Sequence, residues 1–119
     1  MRVVVMGASN KPERYSYKAV MLLKENRHEV FPVHPILKEI EGIKVYPSIK
    51  DVKGPVDTVS IYLSKDISSK LADEIVQKAP RRIIFNPGAE NQEFEIKAAA
   101  QDIKTLEACT LVLLRTNQF

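Results

Sequence analysis

The chain has 119 residues, 45% hydrophobic and 28% charged, with a net charge of +3 at pH 7. This is the composition of one globular domain covering residues 1–119, long enough to bury roughly 65% of its unfolded surface around a single core. It excludes a collagen-like chain, a coiled-coil rod and an extended disordered tail.

No apolar run approaches the ~20 residues of a membrane helix, and MRVVVMGASN turns polar too early for a signal peptide. The single cysteine, Cys109, forms no internal disulfide, so the cytoplasm is the expected compartment. Neither histidine has a cysteine partner at metal-ligand spacing, and no metal site is expected. The basic excess lies early: residues 1–38 hold seven Lys or Arg against three acids, and the remainder holds eleven against twelve. An excess of this size around one loop suits an anionic small molecule. It is too dispersed for nucleic acid, which needs a dense basic face.

In chain order, Val3–Met6 is a continuous apolar run of the kind a strand buried on both faces requires. Gly7 breaks it and a polar loop follows to Arg14. A helix is expected from Ser16, its cap, with Ala19, Leu22, Leu23 and Asn26 marking its faces. Glu29–Val33 reads as a second strand, placed at an edge or a strand end by Pro32. The chain then wanders from Ile36 to Gly42. Lys44–Tyr46 is a short strand candidate, Pro47-Ser48 opens a brief helical turn, and Gly54-Pro55 is a break.

Asp57–Tyr62 is the next strand. Ser64 and Asp66 start a helix with Ile67, Leu71 and Ile75 as its core positions, and Pro80 lies just past its end. Arg82–Asn86 is another strand, stopped by Pro87-Gly88. Asn91 caps a helix carrying Phe94, Ala98 and Gln101, with Glu93 and Glu95 in its first turn as dipole complements. Ile103–Leu106 is the last strand. About five strands alternating with four helices predict an α/β protein: a mainly parallel sheet with helices on both faces.

Such sheets bind ligands beyond the C-terminal ends of their strands. The first of these ends carries the strongest signal. Gly7 allows a tight turn and close approach of a phosphate, Ser9 and Asn10 offer donors, and Lys11 and Arg14 offer positive charge. The helix that follows points free N–H groups at the same place, which suits a pyrophosphate. There is no G-x-G-x-x-G and no Walker sequence, so a P-loop NTPase is not expected. His34-Pro35 stands where an NAD-binding fold carries an acidic residue, which argues against NAD and leaves NADP open.

The segments GASNKPERYSYKAVMLL, EVFPVHP, GIKVYPSI and VDTVSIYLS resemble the small single-domain CoA-binding proteins, which are similar to the N-terminal domain of the succinyl-CoA synthetase alpha subunit. The resemblance runs from residue 2 to about residue 110. It implies a Rossmann-like sheet with coenzyme A, or an acyl-CoA, lying across the strand ends. Carried over by position, Gly7, Ala8 and Ser9 would meet the phosphates, with Lys11 in the same loop and Tyr15, Ser16 and Tyr17 at the helix start. Val33, His34 and Pro35 would line the nucleotide side. Ile61, Tyr62 and Leu63 would form the adenosine or pantetheine wall, and Asn86, Pro87, Gly88 and Ala89 would lie near the pantetheine arm. His34 departs from the Asn usual in the family.

The resemblance brings no reaction: the synthetase's phosphorylated histidine lies in a domain that has no counterpart in these 119 residues. No catalytic residue is therefore expected. Cys109, ahead of Thr110-Leu111-Val112-Leu113, reads as a small buried hydrophobe, and His34 as a ligand-lining residue. The expected function is CoA binding, with no nucleic acid or membrane partner and with room for a homodimer or a protein partner. The alternatives are an NADP-linked or acyl-CoA-dependent enzyme, and a CoA-responsive regulatory or scaffold protein.

Overall fold

A computed structural model describes all 119 residues. The strands are β1 (Arg2–Met6), β2 (Glu29–Val33), β3 (Glu39–Ile40), β4 (Ile43–Lys44), β5 (Thr58–Ile61), β6 (Arg82–Phe85) and β7 (Lys104–Glu107). The helices are α1 (Tyr15–Glu25), α2 (Lys65–Gln77), α3 (Gln92–Ala99) and α4 (Thr110–Arg115), with a 3₁₀ turn at Ile49–Asp51. Five strands form one parallel sheet in the order β2-β1-β5-β6-β7. The Rossmann-like α/β expectation is met.

Burial explains the sequence of β1. Val3, Val4 and Val5 are each fully buried, because β1 has a strand on either side and helices over both faces. Alternate residues of β1 serve different layers. Val4 and Met6 join the larger core with Phe31, Val59, Ile61, Phe85 and Phe94, while Val3 and Val5 join the smaller one with Val20, Leu23 and Leu114. Pro32 occupies the edge strand β2, as its missing N–H requires, where it pairs with Val5.

Four local expectations change. Arg14, not Ser16, is the N-cap of α1, and Ser16 is buried in the first turn. Ile67 is 49% exposed, because α2 turns this residue past the sheet's end toward a cleft and leaves Ser68, Ala72 and Ile75 to face the core. The stretch from Ile36 to Gly42 is not featureless: β3 and β4 form an antiparallel hairpin whose Ile40 is buried in the smaller core. The apolar run after Cys109 is the short helix α4, and Cys109 itself is half-buried at its N-cap. No helix is long and apolar enough to cross a membrane.

Candidate functional site

The chain leaves β1 for β2 on one side of the sheet, then returns to place β5 on the other side of β1. The strand order therefore reverses between β1 and β5, which is where a parallel sheet opens a crevice. A cleft of about 850 Å³ lies there. Its floor is the last turn of β1, with the Met6 carbonyl accepting the Tyr62 N–H at 2.9 Å and the Ala8 N–H donating to the Val33 carbonyl at 3.2 Å.

Gly7 sits at the hinge of this arrangement with φ +80°. A Cβ there would lie 2.9 Å from the Tyr62 carbonyl oxygen and 2.9 Å from the Leu63 Cδ2. The glycine is thus required first by the protein's own β5 end, which packs against the loop, and the same bare backbone faces the cleft.

The α1 N-terminus opens into this cleft without a protein cap. Arg14 supplies no side-chain hydrogen bond to the first turn, and that turn holds no acidic residue. By contrast, Ser64 Oγ caps α2 through the Ile67 N–H and Asn91 Oδ1 caps α3 through the Phe94 N–H. The free N–H groups of α1 and its dipole favour an anion. Lys11 and Arg14 stand beside them, exposed, and neither takes part in an ion pair. The loop is ordered from within: Ser9 Oγ accepts the Lys11 N–H at 3.1 Å, and the Lys11 carbonyl accepts the Arg14 N–H at 3.0 Å.

Thirteen of the expected residues line the cleft: Gly7, Ala8, Ser9, Asn10, Lys11, Arg14, Tyr15, Ser16, Val33, His34, Pro35, Tyr62 and Leu63. Six lie elsewhere. Tyr17 packs against the smaller core with its phenol toward Glu41; burial first, and then that carboxylate, raise its pKa. Ile61 is buried in the larger core, and Ala89 is buried beside it. Pro87 and Gly88 are exposed in the turn after β6.

Asn86 is 1% exposed and holds structure together. Its Nδ2 donates to Ser60 Oγ and to the Ile61 carbonyl, both at 2.9 Å, and its Oδ1 accepts the Thr110 N–H at 2.8 Å. The cleft is completed by residues not expected there, including Leu37 and Glu74 and the α2 residues Ile67 and Leu71, whose spacing had marked them as core positions. The half-exposed Ile67 at helical spacing from Leu71 is the signal for two of them, since a core helix has no reason to expose that position. Ser48 and Pro47, from the family-like YPS stretch, form another part of the wall, where Ser48 Oγ donates to Glu74 at 3.4 Å.

Tyr62 connects the cleft to the Asn86 network. Tyr62 is among the residues lining the cleft and packs against the smaller core, and its buried hydroxyl has no partner, while the Ser60 and Thr110 hydroxyls bond each other at 2.8 Å. Burial pushes its pKa up to about 12. A second, more open hollow of about 700 Å³ lies between α3 and β7. There Glu95 faces Glu107 rather than simply complementing the α3 dipole. Desolvation, the hydrogen bond to Glu107 and the charges of Glu107 and Glu90 raise the Glu95 pKa to about 7.

A parallel sheet with its order reversing at β1, a glycine turn and an uncapped helix end over the crevice define a Rossmann-like α/β protein with a nucleotide-type cleft. The chain belongs to the CoA-binding domain family, whose model matches residues 1–115. It is 27% identical over 92 residues to "Uncharacterized protein YneT" of Bacillus subtilis, covering 77% of this chain and 68% of that one. It is 31% identical over 84 residues to the acetate–CoA ligase [ADP-forming] II subunit alpha of Pyrococcus furiosus, covering 70% of this chain but only 18% of the ligase subunit. A crystal structure of an uncharacterized protein superposes with a TM-score of 0.93 at 33% identity, covering 99% of this chain and 97% of that one.

Proposed function

We propose that the chain binds coenzyme A or an acyl-CoA in the β1–β5 cleft. The observation that carries this reading is the uncapped α1 N-terminus beside the unpaired Lys11 and Arg14. A pyrophosphate there accepts from backbone N–H groups and from two cations that no protein carboxylate neutralises. The nucleotide then lies toward Val33, His34 and Pro35 at the β2 end, and the rest of the ligand runs along Tyr62 and Leu63. A volume of about 850 Å³ is ample for much of such a ligand.

The Asn86–Ala89 turn keeps only a supporting part in this reading, because Asn86 is committed to the protein's interior. The chain spans 15–18% of the length of the acetate–CoA ligases it resembles, and no ligase step is assigned to it.

A thermal-shift panel with CoA, acetyl-CoA, NAD, NADP and ATP tests the reading, since a ligand that binds only the native state raises the melting temperature. The expected result is a shift with the two CoA compounds. Lys11→Glu is expected to weaken that binding by about 1–3 kcal/mol. A shift with NADP alone overturns the reading in favour of a redox cofactor, and no shift with any of the five overturns it outright.

A further inference from the structure

His34 is fixed in the fold by three backbone bonds. Its N–H donates to the Tyr46 carbonyl at 3.0 Å. Its Nδ1 accepts two more N–H groups, from Ile36 at 3.0 Å and from Leu37 at 3.1 Å. Backbone N–H groups only donate, so Nδ1 is an acceptor and the ring hydrogen of the neutral imidazole sits on Nε2. Nε2 has no partner within the protein, and it is not a buried orphan, since the Tyr62 hydroxyl is the sole such atom. His34 is among the residues that line the cleft. At the cleft wall, the side chain therefore keeps one N–H donor free for a ligand and no free acceptor.

This residue sits just past the end of β2. In sheets of this type, that position meets the ribose of a nucleotide whose pyrophosphate lies on the first loop. An acidic residue there accepts the ribose hydroxyls. His34, its Nδ1 already taken by the Ile36 and Leu37 N–H groups, offers a ligand no acceptor and matches the opposite chemistry, an anionic oxygen. We propose that His34 is a specificity-determining residue that donates from Nε2 to a phosphate carried on the ligand's ribose. It thereby selects ribose-phosphorylated ligands over their unphosphorylated forms. The inference rests on the nucleotide orientation proposed above and names which part of the ligand this side chain reads.

Two substitutions separate the donor from the turn it stabilises. His34→Asn retains an oxygen to accept the Ile36 and Leu37 N–H groups, in the manner of an Asx turn, and retains an N–H donor. His34→Asp keeps the acceptor for the turn and replaces the donor with negative charge. Isothermal titration of the full chain with CoA, dephospho-CoA, NADP and NAD gives the readout, with melting curves to show that each variant folds.

The wild-type protein is expected to bind CoA at least tenfold more tightly than dephospho-CoA. His34→Asn should keep that ratio within about threefold, and His34→Asp should reduce it to near one or invert it. Equal wild-type affinity for CoA and dephospho-CoA, or an unchanged ratio in His34→Asp, overturns the role of His34 and leaves CoA binding intact. A preference for NADP over NAD with no CoA binding, lost in His34→Asp, keeps the role of His34 and overturns the CoA reading. Binding of none of the four overturns both.

Discussion

The Asn86 Oδ1 accepts the Thr110 N–H at 2.8 Å, tying the end of β6 to the first turn of α4 across 24 residues of chain. With Ser60 Oγ and the Ile61 carbonyl on its Nδ2, Asn86 joins β5, β6 and α4 directly beneath the Tyr62 wall of the cleft. A carboxamide suits this place because it donates and accepts at once in a buried setting, where an unmade bond is costly.

Asn86→Ala removes all three bonds and leaves the buried Thr110 N–H without an acceptor. The expected loss is about 2–4 kcal/mol of stability, read from the midpoint and slope of urea denaturation. A loss below about 0.5 kcal/mol would show that water or a neighbour replaces the carboxamide.

Gly7→Ala meets two obstacles. The positive φ costs a side-chain-bearing residue about 1–2 kcal/mol, and the new Cβ meets the Tyr62 carbonyl oxygen at 2.9 Å, a backbone atom held in β5's continuation. The variant should lose about 2–4 kcal/mol, so reduced ligand affinity has to be measured well below its lowered melting temperature. An unchanged denaturation midpoint would refute this packing of β5's end against the loop.

Tyr62→Phe should leave stability at pH 7 unchanged or raise it by up to about 1 kcal/mol, since it deletes a buried hydroxyl that has no partner. The alkaline limb gives a second check. The phenol's pKa is raised from 10.0 to about 12 in the folded protein, so between those values the unfolded chain ionises and the folded one does not. Stability then falls as pH rises through that window, by about 1.4 kcal/mol per unit from this group. The variant should lack that component, and identical alkaline denaturation slopes in the two proteins would contradict it.

Glu95 carries a pH dependence of its own. Its pKa is raised from 4.5 to about 7, so the unfolded chain ionises first. Its contribution to stability is fully present below pH 4.5 and is lost as pH rises toward 7. Glu95→Gln, which keeps a neutral hydrogen-bonding group opposite Glu107, should flatten the decline of melting temperature across that window in scanning calorimetry. A decline as steep as the wild type's would assign it to other groups.

Local patterning carried most of the secondary structure. The Val3–Met6 run, the Pro32 edge signal, the Ser64 and Asn91 caps and the Gly7 break all act through neighbours in sequence or through burial on both faces. The β3–β4 hairpin was hidden because its strands are two residues each, too short for any period to show. The α4 helix was hidden because six residues behind a cysteine form fewer than two turns, stabilised by packing against α1 rather than by their own sequence.

The sequence by itself determined the α/β alternation, the glycine-led basic loop at Gly7–Arg14 and the family resemblance, because strand burial, turn chemistry and charge are written in short stretches. Only the tertiary structure decided which residues share the cleft. It turned Ile67 outward to the cleft and Tyr17 away from it, drew Asn86 into the interior, and fixed His34 Nδ1 on the Ile36 and Leu37 N–H groups. Those outcomes depend on strand order and on which partner each polar atom finds in space, and neither is encoded at any single position in the chain.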